Sequence, residues 1–345
     1  MAAASATSDY PRGNGTGGGG WTGADRALLL GLVAFALLRT ASLVFSPLEL
    51  GVDEAQYWLW STGFDFGYYT KPPLTSWIIG LSHSLFGHHE WAVRLPAPWL
   101  HLATSLVLWR AADWLAGPAA GWIAAIIWMT LPSIALGSFV ISTDTPLLLC
   151  WSAGVLALVG VLTGRLRERR GMLLAGGAFG AAMLAKYAAI YGLAGLALFV
   201  LATSVLSRDT ERQKVIGWRG LGLFALGMVA VASPNILWNL ANELTTVRHL
   251  GDNANLDLRS YSLAGSIGFL AAQFATAGPV VFALMFGILR TRRGDDAGLL
   301  LLCLSAPVIL VIMVQAFLSE ANANWGLTAM PALVLWLARW MAQAR

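Results

Sequence analysis

Charge is scarce in this sequence: of its 345 residues only 12% are Asp, Glu, Lys or Arg, about half the share found in soluble domains. With 57% hydrophobic residues and a mean hydropathy of +0.66, that scarcity excludes both a water-soluble globular protein and a disordered chain. The 22 Lys+Arg are nearly balanced by 18 Asp+Glu, so no basic face for nucleic acid is expected. Cysteine is almost absent as well. Cys150 and Cys303 each stand alone in an apolar run, which excludes a disulfide framework or a CxxC metal or redox site and makes both core residues. Among the histidines only His88 and His89 are close in sequence, and neighbours face different ways on any regular element, so no metal site is expected. No cofactor is expected either, with a divalent metal left open. No Gly-rich stretch has a P-loop pattern. Residues 1–22 are small, polar and Gly-rich, without a cleavable signal, and read as a disordered cytoplasmic leader ahead of one transmembrane domain over 23–345.

What the chain has instead is apolar length. A membrane helix needs ~20 apolar residues, and windows of that kind fall near 27–47, 94–115, 119–138, 144–163, 172–186, 188–206, 218–238, 263–289, 297–317 and 326–342. The expected fold class is therefore an all-α polytopic membrane protein of about ten transmembrane helices. With the N-terminus inside, most of the basic residues fall on the inner segments, among them Arg110, Arg165, Arg167, Arg169, Arg170, Arg219 and Arg339. The positive-inside rule then puts both termini in the cytoplasm. Acids such as Glu49, Asp53, Glu54, Asp65, Asp144 and Glu320 fall on the outer side, so the chemistry is expected there.

The first outer loop, 48–93, is the longest connection and the natural place for function. It reads as two amphipathic helices along the membrane surface, carrying Tyr57, Trp58 and Trp60 after Asp53 and Glu54. Helix capping with interfacial anchoring explains such a start. Two adjacent acids at a bilayer boundary equally suit a site, and a partly desolvated carboxylate is a general base for an acceptor hydroxyl. Asp53 is the first choice. Farther on, Lys71-Pro72-Pro73 fixes the backbone and aims one ammonium at a fixed place, where a phosphate is the natural partner. Tyr68 and Tyr69 beside it either bond that group or anchor at the interface.

Ionisable residues inside spans are functional candidates by default. Arg39 lies past the middle of the first span and either snorkels or serves a ligand. Asp144, in Ser142-Thr-Asp-Thr-Pro146, is equally an N-cap or a site residue. Lys186 interrupts an Ala/Gly-rich run where the chain turns back, which suits an anionic ligand. Glu320, Asn322, Asn324 and Trp325 form one polar patch between apolar helices, and Pro234, Asn235, Trp238 and Asn239 another.

In order and spacing this constellation resembles the C-type membrane glycosyltransferases, in the branch of the protein O-mannosyltransferases and the lipid A aminoarabinose transferases. The resemblance covers most of 27–342. It rests on Arg39, Asp53-Glu54-Ala55-Gln56-Tyr57, Tyr69-Thr70-Lys71-Pro72-Pro73, the Trp77 to Phe86 segment and Arg94-Leu95-Pro96. It implies Asp53 as catalytic base with Glu54 as partner, and Lys71, with Lys186 and Arg39, at the phosphate of a polyprenyl-phosphate sugar. Tyr57, Tyr69, Asp144, Glu320 and Asn324 are counted as substrate-binding. Many relatives carry an acid where this chain has Thr70, which puts any contact made by that acid in doubt. Larger relatives continue through further spans and an outer domain, so a compact or truncated member with a simplified acceptor site is expected.

The implied reaction moves a monosaccharide from the lipid phosphate to an acceptor hydroxyl on a lipid, polysaccharide or protein, at the periplasmic face of the bacterial inner membrane. Single displacement predicts inversion. The rival readings are a transporter or flippase of an anionic or lipid-linked substrate, and a non-catalytic remnant of the family that binds lipid phosphate.

Overall fold

In the computed structural model the described residues are 22–206, 215–254, 261–289 and 295–344. The expected leader, apart from Thr22, which caps the first helix, and the basic residues Arg208, Arg212, Lys214, Arg290, Arg292 and Arg293 lie outside them. Among the described residues every regular element is helical. In chain order the helices are α1 (Gly23–Val44), α2 (Val52–Ser61), α3 (Leu74–Phe86), α4 (Glu90–Arg94), α5 (Pro96–Ala116), α6 (Pro118–Thr130), α7 (Pro132–Gly137), α8 (Asp144–Leu162), α9 (Glu168–Ala185), α10 (Ile190–Leu206), α11 (Trp218–Ala241), α12 (Thr245–Ala254), α13 (Leu263–Ala277), α14 (Pro279–Leu289), α15 (Asp296–Leu318) and α16 (Met330–Gln343). Short 3-10 segments, Tyr187–Ala189 and Ala323–Ala329, precede α10 and α16.

Five of the described segments are long and apolar enough to cross a membrane on their own: Gly23–Val44, Asp144–Leu162, Tyr187–Val205, Trp218–Ala241 and Asp296–Leu318. Two windows expected as single spans are broken. Leu131 leaves the helical region before Pro132, and Gly278 at φ +79° separates α13 from Pro279 at the head of α14. A proline cannot give its amide to the preceding turn, so each window becomes two shorter helices. The number of spans is thus not fixed at ten by helix length.

Side chains such as Leu226 and Leu237 on α11 and Leu310 on α15 are left largely exposed, as expected of surfaces that meet hydrocarbon rather than water. The interior is built where lipid gives no hydrophobic push between helices and close packing must supply the attraction. Trp128, Trp151, Phe179 and Phe224 are fully buried in the main cluster, to which α5, α6, α8, α9, α10, α15 and α16 contribute most, with α1, α11 and α13 adding to it. α9 and α11 meet backbone to backbone: a β-carbon on Gly180 would lie 2.5 Å from the Met228 carbonyl oxygen, and one on Gly227 2.6 Å from that of Leu173. Only glycine permits that approach, which is the small-residue packing favoured between membrane helices.

Two smaller clusters dock the first loop on this scaffold. Tyr57 and Ile79 pack with Val93, Ala97 and Ile141. Leu74 leans on Leu147, Ala182, Ala185 and Ala189, which brings the Lys71 turn toward the start of α8 and the end of α9.

Candidate active site

The loop helices form as the sequence pattern expects, but α2 sends its two acids opposite ways. Successive residues on a helix point ~100° apart, so with Tyr57 turned inward Glu54 is buried and Asp53 is exposed. The Glu54 carboxylate is filled by four donors. Arg94 reaches it through Nε at 2.8 Å and Nη2 at 2.7 Å, the Ile141 amide at 3.0 Å and the Gly51 amide at 2.9 Å. Arg94 in turn donates to the Leu48 and Glu49 carbonyls, each at 2.8 Å. Glu54, expected as catalytic partner of Asp53, therefore has no lone pair to offer a substrate. What it does is tie α2 to α4 and to the segment leading into α8.

Asp53 keeps its carboxylate outside this knot, exposed rather than desolvated. It interacts with the Tyr57 hydroxyl, which also meets the Thr143 side chain and feels the charge of Asp144. Burial pushes the Tyr57 phenol well above the ordinary tyrosine range, and the two acids add to it, so the group stays a neutral donor. Tyr57 is thus the link between Asp53 and the head of α8.

Asp144 begins α8, and the helix has no side-chain cap there. Its carboxylate instead takes Lys186 Nζ on Oδ1 at 2.7 Å and Asn324 Nδ2 on Oδ2 at 2.7 Å, which removes the capping reading. Lys186 can reach it because α9 ends at Ala185 and Lys186 itself is extended, φ −159°. Asn324 comes from the patch before α16. Glu320 in the same patch is exposed and does not join this centre. Tyr69 is exposed too, its ring against His249 at 5.2 Å.

Arg39 is placed elsewhere. It is 4% exposed, donates to the Met129 carbonyl at 2.7 Å and Ser138 Oγ at 3.0 Å, and lies over the Phe35 ring. It neither snorkels nor reaches the cavity described below. The α6 break frees helix-end carbonyls that need a donor, and Arg39 supplies one, which corrects its expected place at a donor phosphate.

Lys71, Asp144 and Lys186 help line a cavity of about 600 Å³. Met183, Ile190, Tyr191, Ile236, Leu240, Val311 and Ile312 give it apolar walls from α9, α10, α11 and α15. Lys186 is neutralised by Asp144, whereas Lys71 forms no ion pair among the described residues. One such cation in the wall of a largely apolar cavity suits a monoanionic head on a hydrocarbon tail. The Lys71 turn is clamped from α11 and α12: Asn235 Nδ2 donates to the Phe66 carbonyl at 2.7 Å and Thr246 Oγ1 to that of Tyr68 at 2.6 Å. Among the described residues no three His, Cys, Asp or Glu side chains gather as a metal site.

Sequence reasoning noted Asn235 and Asn239 as a polar patch without giving them a role, and passed over Gln315 and Thr328 and the part of Tyr187; all five line the cavity. Of these, Asn235 and Asn239 carried a usable signal, two amides four residues apart on an apolar helix.

Residues 70–238 match the family model described as dolichyl-phosphate-mannose-protein mannosyltransferase. A lipid A galacturonosyltransferase, RgtD, from Rhizobium johnstonii is 38% identical over 327 residues, an alignment covering 90% of this chain. The chain is thus similar to that mannosyltransferase family over 70–238 and to this galacturonosyltransferase over most of its own length. It spans 65% of the length of that relative. The crystal structure of ArnT from Cupriavidus metallidurans bound to undecaprenyl phosphate superposes with a TM-score of 0.69 at 20% identity, over 92% of this chain and 60% of that one. The apo state of the same protein gives 0.67 at 19% identity, over 93% and 60%. At these identities the likeness concerns the fold, and on that level it agrees with the expected class.

Proposed function

We propose that this chain transfers a monosaccharide from a polyprenyl-phosphate donor to an acceptor hydroxyl. The observation that carries the reading is the cavity lined both by apolar side chains and by Lys71, whose ammonium forms no ion pair among the described residues. A lipid phosphate fits that combination, with Lys71 opposite its charge and the Lys186–Asp144 pair beside it. By similarity to the lipid A galacturonosyltransferase, the sugar is a galacturonosyl group and the acceptor a lipid A hydroxyl.

In the reaction Asp53 takes the proton of the acceptor hydroxyl while its oxygen attacks the anomeric carbon. The bond from that carbon to the phosphate oxygen breaks, and the lipid phosphate leaves with its new charge facing Lys71. One displacement inverts the anomeric configuration. The neutral Tyr57 hydroxyl orients Asp53, and Glu54 with Arg94 fixes the helix on which Asp53 stands. Asp144 holds Lys186 and Asn324 in place at the cavity.

We place the cavity on the periplasmic side. Arg165, Arg167, Arg169 and Arg170 cluster between α8 and α9, at the end of both helices away from Asp144 and Lys186. A helix of 19 residues puts about 28 Å between those ends, and the arginine end suits the cytoplasmic face.

The test is transfer by purified protein in lipid, from radiolabelled polyprenyl-phosphate sugars to lipid A in the presence of EDTA, with the product's anomeric configuration read by NMR. The reading predicts an inverted product from wild type and its loss in Asp53→Asn. No transfer from any donor, or a retained configuration, contradicts it.

A further inference from the structure

The polar network beside the cavity has a direction, and it ends on an atom that no described residue bonds. A carbonyl can only accept, so the atom of Asn235 that meets the Phe66 carbonyl at 2.7 Å is Nδ2. That turns Oδ1 of Asn235 toward Tyr187, whose hydroxyl donates to it at 2.7 Å. With its single proton committed, the Tyr187 oxygen only accepts, and it accepts from Nδ2 of Asn239 at 2.9 Å. The same Nδ2 reaches the Asn235 carbonyl at 3.0 Å. The order of donors thus fixes which end of the Asn239 amide is which and leaves Oδ1 over. Among the described residues nothing donates to that oxygen, although Asn239 is only 3% exposed. Buried acceptors without a donor are rare in folded proteins. This one belongs to a residue that lines the cavity together with Lys71 and Lys186.

We infer that Oδ1 of Asn239 accepts a hydrogen bond from a hydroxyl of the donor's glycosyl group, which makes Asn239 a specificity residue for the sugar. The inference rests on the transferase reading above and deepens it. Of the three parts of a polyprenyl-phosphate sugar, the tail has no polar hydrogen and the phosphodiester has no proton to give at neutral pH. Only the sugar's hydroxyls are donors. Tyr187 and Asn235 hold the Asn239 amide in place, and a fixed buried acceptor is the kind of group that rejects an analogue lacking its donor.

The experiment compares kcat/KM for a series of donors, each lacking one sugar hydroxyl, in wild type and Asn239→Leu, alongside the affinity of each protein for undecaprenyl phosphate, which carries no sugar. One deoxy donor is expected to lose roughly 10- to 100-fold in wild type. In Asn239→Leu the parent donor falls to a similar rate and the deoxy donor matches it, while undecaprenyl phosphate binds as before. The wild-type series decides alone if Asn239→Leu does not fold, and Asn239→Ser then replaces it. The inference is overturned if every deoxy donor stays within about threefold of the parent in wild type, or if discrimination persists in the variant. Wild type that transfers from all donors without discrimination sinks only the role of Asn239. Wild type that transfers from none sinks the transferase reading and this inference with it.

Discussion

Asp53 and Glu54 are neighbours in sequence and opposites in place, and the account divides their work accordingly. Asp53→Asn removes the proposed base, so transfer falls by ~10²- to 10⁴-fold with donor binding and the unfolding midpoint kept; an active Asp53→Asn enzyme contradicts the assignment. Glu54→Ala acts through structure. It leaves Arg94 buried without its carboxylate, a change that costs about 3–5 kcal/mol, and shows as a lower thermal midpoint together with lost activity. Equal midpoints for wild type and Glu54→Ala speak against that role. The sequence could flag the acidic pair but not separate it, because the groups that claim Glu54 come from Arg94 and Ile141, 40 and 87 residues away. The same holds for Arg39. Its partners Met129 and Ser138 are 90 and 99 residues off, and one window of sequence cannot tell a helix-end donor from a phosphate ligand. Lys71 and Lys186 were easier, since a cation beside two prolines or at a turn in an apolar run is conspicuous by itself.

At the scale of elements, the position of Lys71 depends on how α11 grips the first loop. A β-carbon on Gly67 would overlap the Trp238 ring, so the loop and the helix touch where only glycine fits. Gly67→Ala pushes the loop off α11, strains the Asn235 and Thr246 bonds, and is expected to raise the donor KM by roughly tenfold with a smaller effect on kcat. Adding Trp238→Ala, which vacates the space, restores part of the KM; an unaltered KM in Gly67→Ala overturns the clamp. The helices themselves were legible from hydropathy, including the two surface helices of the first loop. Their breaks were not. Proline and glycine pass unnoticed in an apolar window, yet at 131–132 and 278–279 they end one helix and start another. α12 also escaped notice, because a ten-residue polar stretch gives no apolar signal and is held by its bond to the loop carbonyl of Tyr68.

For the whole molecule, the two charged ends of the bundle set the expected topology. With Cys150 and Cys303 replaced by alanine, a cysteine at Phe64→Cys is labelled by an impermeant maleimide in intact cells, and one at Arg167→Cys only after permeabilisation; the reverse pattern inverts the orientation. The cavity that Lys71 lines and Arg39 does not is the centre of the account, and it distinguishes two cations that the sequence grouped together. The measurement to make is therefore the affinity for undecaprenyl phosphate of purified wild type, Lys71→Met and Arg39→Met. Lys71→Met is expected to bind roughly 10- to 100-fold more weakly, as for a lost hydrogen bond to a charged group. Arg39→Met, if folded, keeps the wild-type affinity. Undiminished binding by Lys71→Met, or an equal loss in Arg39→Met, contradicts the assignment of the cavity to the donor's lipid phosphate.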